Sequence, residues 1–264
     1  MSSEGSSAKV GFFLKTLAGI ERGTNALYAL HGAIWLGLLR RAELNHVNER
    51  SYAADRSHTD EIYNRSGLDA WERAALAQYF GSCRSFLVGG AGGGREVIAL
   101  CRQELRADGF ECNPALVQLA ERLLREERLN ARILACGADE VPAELGVYEA
   151  GIVGFGVYMH LVGRGNRVRF LKEFARHLSP GAPLLASFAT RGEGRQHRYV
   201  AAIARAIQRL RGVEEEVQIG DALGQRFTHQ FTEREIAAEF LEAGFELLCF
   251  RPLPFGHAIA RSRC

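Results

Sequence analysis

The chain has 264 residues, of which 47% are hydrophobic and 24% charged, and its formal net charge is +2. This length allows one large domain or one domain with a cap, and the composition is ordinary for a soluble globular protein with a sizeable core. A net charge this small gives no reason to expect nucleic acid or an anionic membrane as a partner.

The first 80 residues predict helices, at about 8–22, 25–42 and 68–80, and show no alternation typical of strands. The apolar run 24–39 is shorter than the roughly 20 residues that span a bilayer, so it predicts a buried helix or the wall of an apolar pocket. A polar and aromatic segment follows at 51–64. We expect residues 1–80 to form a helical cap or lid.

From residue 85 onward, apolar strands and helices alternate, which predicts a parallel sheet covered by helices on both faces. A further amphipathic helix is expected at 195–211, and Thr232 with Glu235 predicts the capping box of a helix that ends near Gly244. The stretches 245–250 and 257–260 predict a closing hairpin. The parallel strands are expected near 85–89, 106–111, 131–136, 150–155 and 183–188, with helices near 94–105, 114–128 and 164–178.

A glycine-rich loop follows the first apolar strand, in the sequence Phe-Leu-Val-Gly-Gly-Ala-Gly-Gly-Gly-Arg-Glu at 86–96. Its glycines fit the spacing G-x-G-x-G at Gly90, Gly92 and Gly94, whereas the dinucleotide spacing G-x-G-x-x-G and the P-loop both fail. Such a loop lets the backbone approach a nucleoside-type ligand closely. Glu111 ends the next apolar stretch, where an α/β nucleotide-binding fold places a carboxylate against ribose hydroxyls.

This loop resembles motif I of the class I S-adenosylmethionine (SAM) methyltransferases. The segments 109–114, 133–139, 148–156 and 178–185 resemble four further segments of that family in the family's order, so the resemblance covers about 80–190. It implies a Rossmann-like, doubly wound sheet of seven strands whose last hairpin is antiparallel. With the N-terminal cap, this gives residues 81–264 as the core, with a helical lid inserted at about 190–230.

The resemblance also implies SAM as the cofactor and a set of residues that contact it. Two departures from the family pattern are Val88 and Gly137, which stand where members commonly carry an acid, so Asp139 is expected to serve from a shifted position. The implied SAM-binding residues in the core are Gly90, Ala91, Gly92, Gly94, Glu111, Cys112, Ala138, Asp139, Gly154 and Phe155.

Two residues before the core are further candidates for SAM binding. Family members use groups that precede the first strand to reach the amino-acid end of SAM, which gives Arg65 as a partner of its carboxylate and Tyr63 as a cover. The alternative is that this segment is only a turn between helices, closed by Gly67.

Ligands of a doubly wound sheet lie at the carboxyl ends of its strands, so the residues after the fourth strand should face the transferred methyl group. There, His160 has an ordinary pKa of about 6.5 and is a candidate general base, while Tyr158 is a candidate for orienting the acceptor. Arg191 and His229 are candidate substrate-binding residues. The alternatives are a helix cap for His160, a solvated loop for Arg191 and a satisfied core position for His229.

We therefore expect an enzyme that transfers a methyl group from SAM to an O or N atom of a small or medium organic acceptor, with specialised metabolism favoured and a peptide acceptor left open. The alternative is a non-catalytic module that binds SAM or a nucleotide. No basic stripe indicates nucleic acid, and no spacing indicates a metal. The six cysteines lack CxxC spacing and the N-terminus lacks an export signal, which favours reduced thiols and a cytoplasmic location.

Overall fold

The computed structural model describes residues 3–192, 194–213 and 217–263. Contacts divide the chain into two compact units. The larger unit comprises Arg41–Gly194 with Gln225–Cys264, and the smaller comprises Met1–Arg40 with Arg195–Gly224. The assignment of a functional cap to residues 1–80 stays a prediction.

A seven-stranded sheet forms the centre of the larger unit. Its strands are β1 (Ser85–Gly89), β2 (Arg106–Glu111), β3 (Ile133–Ala135), β4 (Ala150–Val153), β5 (Pro183–Ser187), β8 (Phe245–Arg251) and β9 (His257–Ser262). They lie in the order β3-β2-β1-β4-β5-β9-β8. The first five of these strands run parallel, while β9 pairs antiparallel with both β5 and β8. This is the predicted Rossmann-like sheet with an antiparallel closing hairpin, so the fold class is confirmed.

Helices cover both faces of this sheet. Alternate residues of a strand point to opposite faces, and accordingly Leu87 of β1 belongs to one buried cluster while Phe86 and Val88 belong to another. The larger unit also holds the short strand β7 (Phe227–His229). Its helices are α2 (Arg41–Ala54), α3 (Glu61–Arg65), α4 (Ala70–Tyr79), α5 (Arg95–Cys101), α6 (Pro114–Glu126), α7 (Arg164–Ala175) and α9 (Glu233–Glu242), with 3₁₀ turns at Arg56–Thr59 and Val157–His160.

Local sequence signals set the ends of several of these helices. Asn113 caps α6 by accepting a hydrogen bond from the Ala115 N–H at 3.0 Å, and Pro114 takes the first helical position, where no N–H is needed. The predicted capping box of α9 is confirmed, because the Thr232 hydroxyl accepts from the Glu235 N–H and the Glu235 carboxylate accepts from the Thr232 N–H.

The smaller unit consists of the helices α1 (Ser3–Leu38) and α8 (Gln196–Leu210) and the short strand β6 (Asp221–Leu223). The predicted break between helices at 22–25 is wrong, because α1 is continuous through Gly23. A glycine in an exposed helix costs only about 1 kcal/mol relative to alanine, and the helix-forming residues around Gly23 outweigh that cost. Among the described helices, none is long and apolar enough to cross a membrane.

The polar and aromatic segment 51–64 is mostly helical. The helix α2 continues to Ala54, a 3₁₀ turn follows, and α3 begins after Asp60, whose carboxylate accepts from the Ile62 N–H at 2.8 Å. This segment matters for function because its side chains form one wall of a cavity.

Candidate active site

A cavity of about 530 Å³ lies within the larger unit, at the carboxyl ends of its parallel strands. Its walls come from the glycine loop after β1, the ends of β2 and β3, the turn after β4, and the segment from α2 to α3. Nine of the residues predicted from the sequence line it: Tyr63, Gly90, Ala91, Gly92, Glu111, Cys112, Ala138, Phe155 and His160.

The glycine loop needs its glycines for backbone conformation and for space. Gly90, Gly92 and Gly94 all have positive φ angles, of 67°, 54° and 93°, which side chains other than hydrogen rarely tolerate. A Cβ at Gly90 would lie 2.4 Å from Val157 Cγ2, whereas a Cβ at Gly92 would meet no atom within 4 Å. Gly92 therefore borders open space in the cavity, where a ligand can approach the backbone.

Glu111 ties the end of β2 to this loop. Its Oε2 accepts a hydrogen bond from the Gly92 N–H at 2.9 Å, and its Oε1 accepts from the Asn113 N–H at 2.9 Å. The carboxylate is buried, yet it lines the cavity. The Cys112 thiol also donates to Oε1, at 3.4 Å. Two carboxylate oxygens offer about four lone-pair sites, so these three hydrogen bonds still leave Glu111 capacity to accept from a ligand hydroxyl.

A buried charge network that the sequence analysis did not predict lies beside the loop. Arg95 at the start of α5 donates from Nη2 to Glu72 Oε1 at 2.6 Å and to Glu96 Oε1 at 2.7 Å. None of these three residues is more than 4% exposed. Burial raises the pKa of Glu72, and the Arg95 guanidinium opposes that rise. Arg95 and Glu96 line the cavity, so its wall here carries one cation and one acid, while Glu72 holds Arg95 from outside the lining.

Arg65 and Asp139, both predicted to bind SAM, lie outside the cavity lining. Arg65 donates from Nη1 to Glu127 Oε1 at 2.7 Å and also pairs with Glu126, so its guanidinium joins α3 to the end of α6. Asp139 accepts from Arg169 Nη2 at 2.9 Å. No sequence pattern reveals which acid an arginine pairs with, so these ion pairs could not be predicted from the sequence.

Two further glycines predicted to bind SAM also lie outside the cavity lining, and they allow close packing around the glycine loop. Gly94 caps the N-terminus of α5, and a Cβ there would lie 3.2 Å from Ala120 Cβ. A Cβ at Gly154 would lie 2.5 Å from the Gly90 carbonyl oxygen, so only glycine lets the end of β4 pass this close to the loop.

Tyr158 belongs to a buried cluster outside the cavity lining. Its hydroxyl donates to Glu239 Oε2 at 2.6 Å, and the same carboxylate accepts from Arg167 Nη2 at 2.6 Å. Burial raises the pKa of Tyr158 well above its usual value. The phenol thus packs the turn after β4 onto α7 and α9.

The two other predicted substrate residues also lie outside the lining of this cavity. Arg191 donates from Nη2 to Glu235 Oε1 at 2.8 Å, near the N-terminus of α9. His229 on β7 is 1% exposed and packs edge-on against Phe231, with the ring centroids 4.4 Å apart.

His160 is the predicted catalytic residue that does line the cavity. Its Nδ1 lies 2.7 Å from the Phe227 carbonyl oxygen, and the Tyr52 ring meets the imidazole edge-on at a centroid distance of 5.6 Å. Burial lowers the pKa of His160 to about 4, and the charge of Arg226 acts in the same direction. The ring is therefore neutral at pH 7, whereas an imidazole with the ordinary pKa of about 6.5 would still be partly protonated.

A second wall of the cavity is formed by residues that the sequence analysis did not select as site residues. Asn48, Tyr52 and His58 line the cavity beside His160. Arg226 contacts two of these residues without lining the cavity itself. Its Nη1 donates to His58 Nε2 at 3.1 Å, and its guanidinium lies 4.3 Å from the centroid of the Tyr52 ring.

The electrostatics of this wall follow from its burial. Burial lowers the pKa of His58 and raises that of Tyr52 to about 12, so both side chains are uncharged at pH 7. The one sequence signal for this wall was the polar and aromatic composition of 51–64. Among the residues that the structure describes, no group of three metal-binding side chains is close enough to hold a metal ion.

Comparison with known proteins gives a family and a set of related folds. Residues 86–181 match the family model of a methyltransferase domain. No curated protein sequence matches the chain. A SAM-dependent methyltransferase from Methanosarcina mazei has 20% sequence identity and a TM-score of 0.57, over 74% of this chain and 98% of that chain.

Two further solved structures are similar to this chain and carry bound ligands. The 1,6-didemethyltoxoflavin N1-methyltransferase of Burkholderia thailandensis, with 1,6-didemethyltoxoflavin and S-adenosylhomocysteine (SAH) bound, has 16% identity and a TM-score of 0.62 over 86% of this chain and 92% of that chain. A SAM-bound amino pentose methyltransferase from Micromonospora echinaspora has 15% identity and a TM-score of 0.54 over 80% and 95% of the two chains. At these identities the likeness shows a shared fold.

Proposed function

We infer, because the chain carries the domain of the class I SAM-dependent methyltransferases at 86–181, that it transfers the methyl group of SAM to an O or N atom of a small organic acceptor in this cavity. The observation that carries the proposal is the pairing of two walls. The glycine loop and a ribose-type carboxylate, Glu111, form the first wall of the cavity, and the neutral base His160 belongs to the second wall. We propose a cytoplasmic location, in keeping with the free cysteines of the described chain.

The residues of the first wall fit a nucleoside that carries an amino acid. The open space at Gly92 accommodates a ligand, and Glu111 can accept from ribose hydroxyls with the lone pairs that the loop leaves. Ala138 and Cys112, which follow β3 and β2, give this wall an apolar surface for the adenine ring of the cofactor. Glu96 and Tyr63 line the part of the cavity nearest Arg95, and their polar groups suit the amino-acid end.

The acceptor is proposed to lie against the second wall. A cavity of about 530 Å³ is within the ordinary range for small-molecule sites, roughly 300–1,000 Å³. Because Tyr52, His58 and His160 are neutral, this wall favours an acceptor that is itself neutral and donates a hydrogen bond. The acceptors named for the two ligand-bound relatives, a toxoflavin precursor and an amino pentose, are small molecules as well.

Methyl transfer is a displacement in which the acceptor O or N bonds to the methyl carbon as the sulfur–carbon bond breaks. SAM supplies the electrophilic methyl group on a sulfonium centre. The chain's contribution is to align the acceptor and to take its proton, and a neutral imidazole with a free lone pair can do both. We assign that role to His160, with Phe227 holding its other nitrogen.

A matched pair of glycines tests the cofactor assignment. Gly92 and Gly181 both have positive φ, of 54° and 76°, and a Cβ at either position would meet no atom within 4 Å. Alanine should cost about 1–2 kcal/mol of stability at each position for its left-handed backbone. Only Gly92 lines the cavity, so Gly92→Ala should weaken SAH binding at least tenfold while Gly181→Ala leaves it within twofold.

Isothermal titration of the purified chain with SAH, and with NAD as the competing ligand class, measures this difference. Unchanged SAH affinity in Gly92→Ala, or binding of NAD in preference to SAH, would overturn the cofactor assignment. A panel of neutral hydroxy and amino compounds, assayed by release of SAH from SAM, then tests methyl transfer. Tight SAH binding with no acceptor turned over would favour the non-catalytic alternative.

A further inference from the structure

Asn48 makes a closed set of contacts around His160. This side chain lies on α2, is 8% exposed, and lines the cavity. Its Nδ2 donates to the His160 carbonyl oxygen at 3.1 Å, and its Oδ1 accepts from the Phe227 N–H at 2.8 Å. The Phe227 carbonyl in turn lies 2.7 Å from His160 Nδ1. One amide thus joins the two backbone segments that set the position of the imidazole.

The partner of Nδ1 decides which nitrogen of His160 carries the proton. A carbonyl oxygen can only accept a hydrogen bond, so Nδ1 must be the donor. In the neutral ring the proton is then on Nδ1, and Nε2 keeps an unprotonated lone pair. Nε2 has no hydrogen-bond partner among the described residues, which leaves it as the nitrogen that can act on a ligand of the cavity.

The charged and titratable groups around His160 agree with this protonation state. Tyr52 meets it edge-on, and the His58 ring lies tilted against Tyr52 with the centroids 4.9 Å apart. Both side chains are neutral at pH 7. The charge of Arg226 disfavours a second proton on the ring, while Asp55 is occupied by pairing with that same arginine. None of these side chains contacts Nδ1, so the Phe227 carbonyl alone selects the tautomer among the described groups.

We propose that Asn48 is a positioning residue that fixes His160 in the Nδ1–H tautomer, so that the Nε2 lone pair is the proton acceptor offered to the substrate. The tautomer of His160 is a property of the free protein, whereas the role of Nε2 as proton acceptor rests on the proposed function. Asn48 holds the Phe227 carbonyl in place from one side and the His160 backbone from the other, so its loss should release the ring from a single tautomer.

The tautomer is measured directly by long-range ¹H–¹⁵N correlation spectra of the full chain with ¹⁵N-labelled histidine at pH 7. A His160→Gln variant assigns the signals. In the wild type, His160 should show a protonated Nδ1 and an unprotonated Nε2. A protonated Nε2 in the wild type would overturn the inference, whatever the variants do.

Two variants and a matched control test the part played by Asn48. Asn48→Ala removes both bonds, and Asn48→Asp keeps an acceptor for the Phe227 N–H but removes the donor to the His160 carbonyl. Asn45→Ala is the control, because Asn45 lies one turn away on α2 and lines the same cavity. A change in tautomer population in either Asn48 variant, with none in Asn45→Ala, is expected. An unchanged single tautomer in both Asn48 variants, each shown to be folded, would refute the positioning role.

Binding and turnover separate this inference from the proposed function. SAH affinity should stay within twofold in the Asn48 variants, since the Asn48 side chain bonds to His160 and Phe227 and not to the glycine loop. With an acceptor found by the panel, kcat should fall by about tenfold or more, because a displaced base is costly to a proton transfer. If SAH does not bind the wild type, the proposed function fails while the tautomer result still decides the role of Asn48.

Discussion

Glu111 shows how one side chain can serve both the fold and a ligand. Its carboxylate accepts from the N–H groups of Gly92 and Asn113, which fixes the loop relative to β2 before any ligand arrives. Hydrogen bonds from ligand hydroxyls to a charged carboxylate contribute about 1.5–3 kcal/mol. Because each 1.4 kcal/mol is about tenfold in affinity, Glu111→Gln should weaken SAH binding by about 10- to 100-fold.

An SAH analogue without the 2′ and 3′ hydroxyls separates the ribose contact from the loop contact. The wild type should bind this analogue more weakly than SAH by a similar factor, and Glu111→Gln should add little further loss, since the contact is already gone. Calorimetric titration of both ligands with both proteins measures the cycle. Equal losses for SAH and for the analogue would mean that Glu111 acts on the loop alone.

His160 gives a prediction about stability that needs no substrate. In the unfolded chain it takes up a proton near pH 6.5, whereas in the folded chain burial lowers its pKa to about 4. Between these values the unfolded chain binds more protons, so stability falls as the pH falls. From pH 7 to pH 5 this group should remove up to about 2 kcal/mol from the free energy of unfolding, since one pKa unit is about 1.4 kcal/mol.

Urea unfolding of the wild type, His160→Gln and His46→Gln at the two pH values measures the effect. Carboxylates also titrate in this range, so the informative quantity is the difference between proteins. His160→Gln should lose less stability on acidification than the wild type, whereas His46→Gln, altered at an exposed position on α2, should follow the wild type. Equal losses in all three proteins would show that His160 takes up its proton without cost in the folded state.

At this scale, the sequence predicted residues that belong to a local motif and missed those that depend on long-range pairing. Gly90 and Gly92 line the cavity as parts of one local strand–loop–helix unit, and Glu111 lines it at the end of the strand that follows. Arg95 was not selected, since its partner Glu72 is 23 residues away and lies on another helix. Arg65 was favoured for its charge, but two acids at the end of α6 engage that charge.

Among the elements, α1 depends on its glycines in two different ways. At Gly37 a Cβ would lie 2.7 Å from Ile207 Cβ and 2.8 Å from the Ala204 carbonyl oxygen, both on α8. Glycine there permits the close approach of the two helices. At Gly23 a Cβ would meet nothing within 4 Å, so that glycine only weakens the helix. The sequence predicted a break between helices at Gly23 and a helix through Gly37, and only the packing shows which glycine is needed for contact.

Alanine at each position should therefore act in opposite directions. Gly37→Ala should destabilise by about 1–3 kcal/mol, the usual cost of overpacking, despite the better helix propensity of alanine. Gly23→Ala should be stabilising by about 0.5–1 kcal/mol, since it restricts the unfolded chain and strains nothing. Denaturant unfolding followed by far-ultraviolet circular dichroism measures both. A stabilising Gly37→Ala would contradict the described packing of α1 on α8.

The elements of the sheet were predictable because each carries its own signal. All five parallel strands and both strands of the hairpin occur at their predicted places, with ends that differ by a few residues. Alternation between apolar strands and amphipathic helices is local and periodic, so it survives in the sequence. The second wall of the cavity had no such signal, because α2 and β7 contribute to it through contacts between distant residues such as Asn48 and Phe227.

For the whole molecule, the cavity belongs to one of the two compact units. Every residue that lines it lies between Asn45 and Phe170, within the larger unit. A ligand that binds only the folded state stabilises it by about 2.7 kcal/mol at a concentration of 100 times its Kd. That free energy should therefore appear in the larger unit, and first in the segments that line the cavity.

Hydrogen–deuterium exchange with saturating SAH tests this at the level of the whole chain. Peptides from 86–96 and 109–116, which contain the glycine loop and Glu111, should exchange more slowly by up to about 100-fold, because 2.7 kcal/mol corresponds to that factor. Peptides from α1 and α8 should change little, since SAH alone reaches only the cavity of the larger unit. Equal protection of α1 and the glycine loop would mean that the ligand binds elsewhere or that the two units unfold together. The Gly92→Ala variant decides between these outcomes, because it removes the protection only if the loop is the binding site.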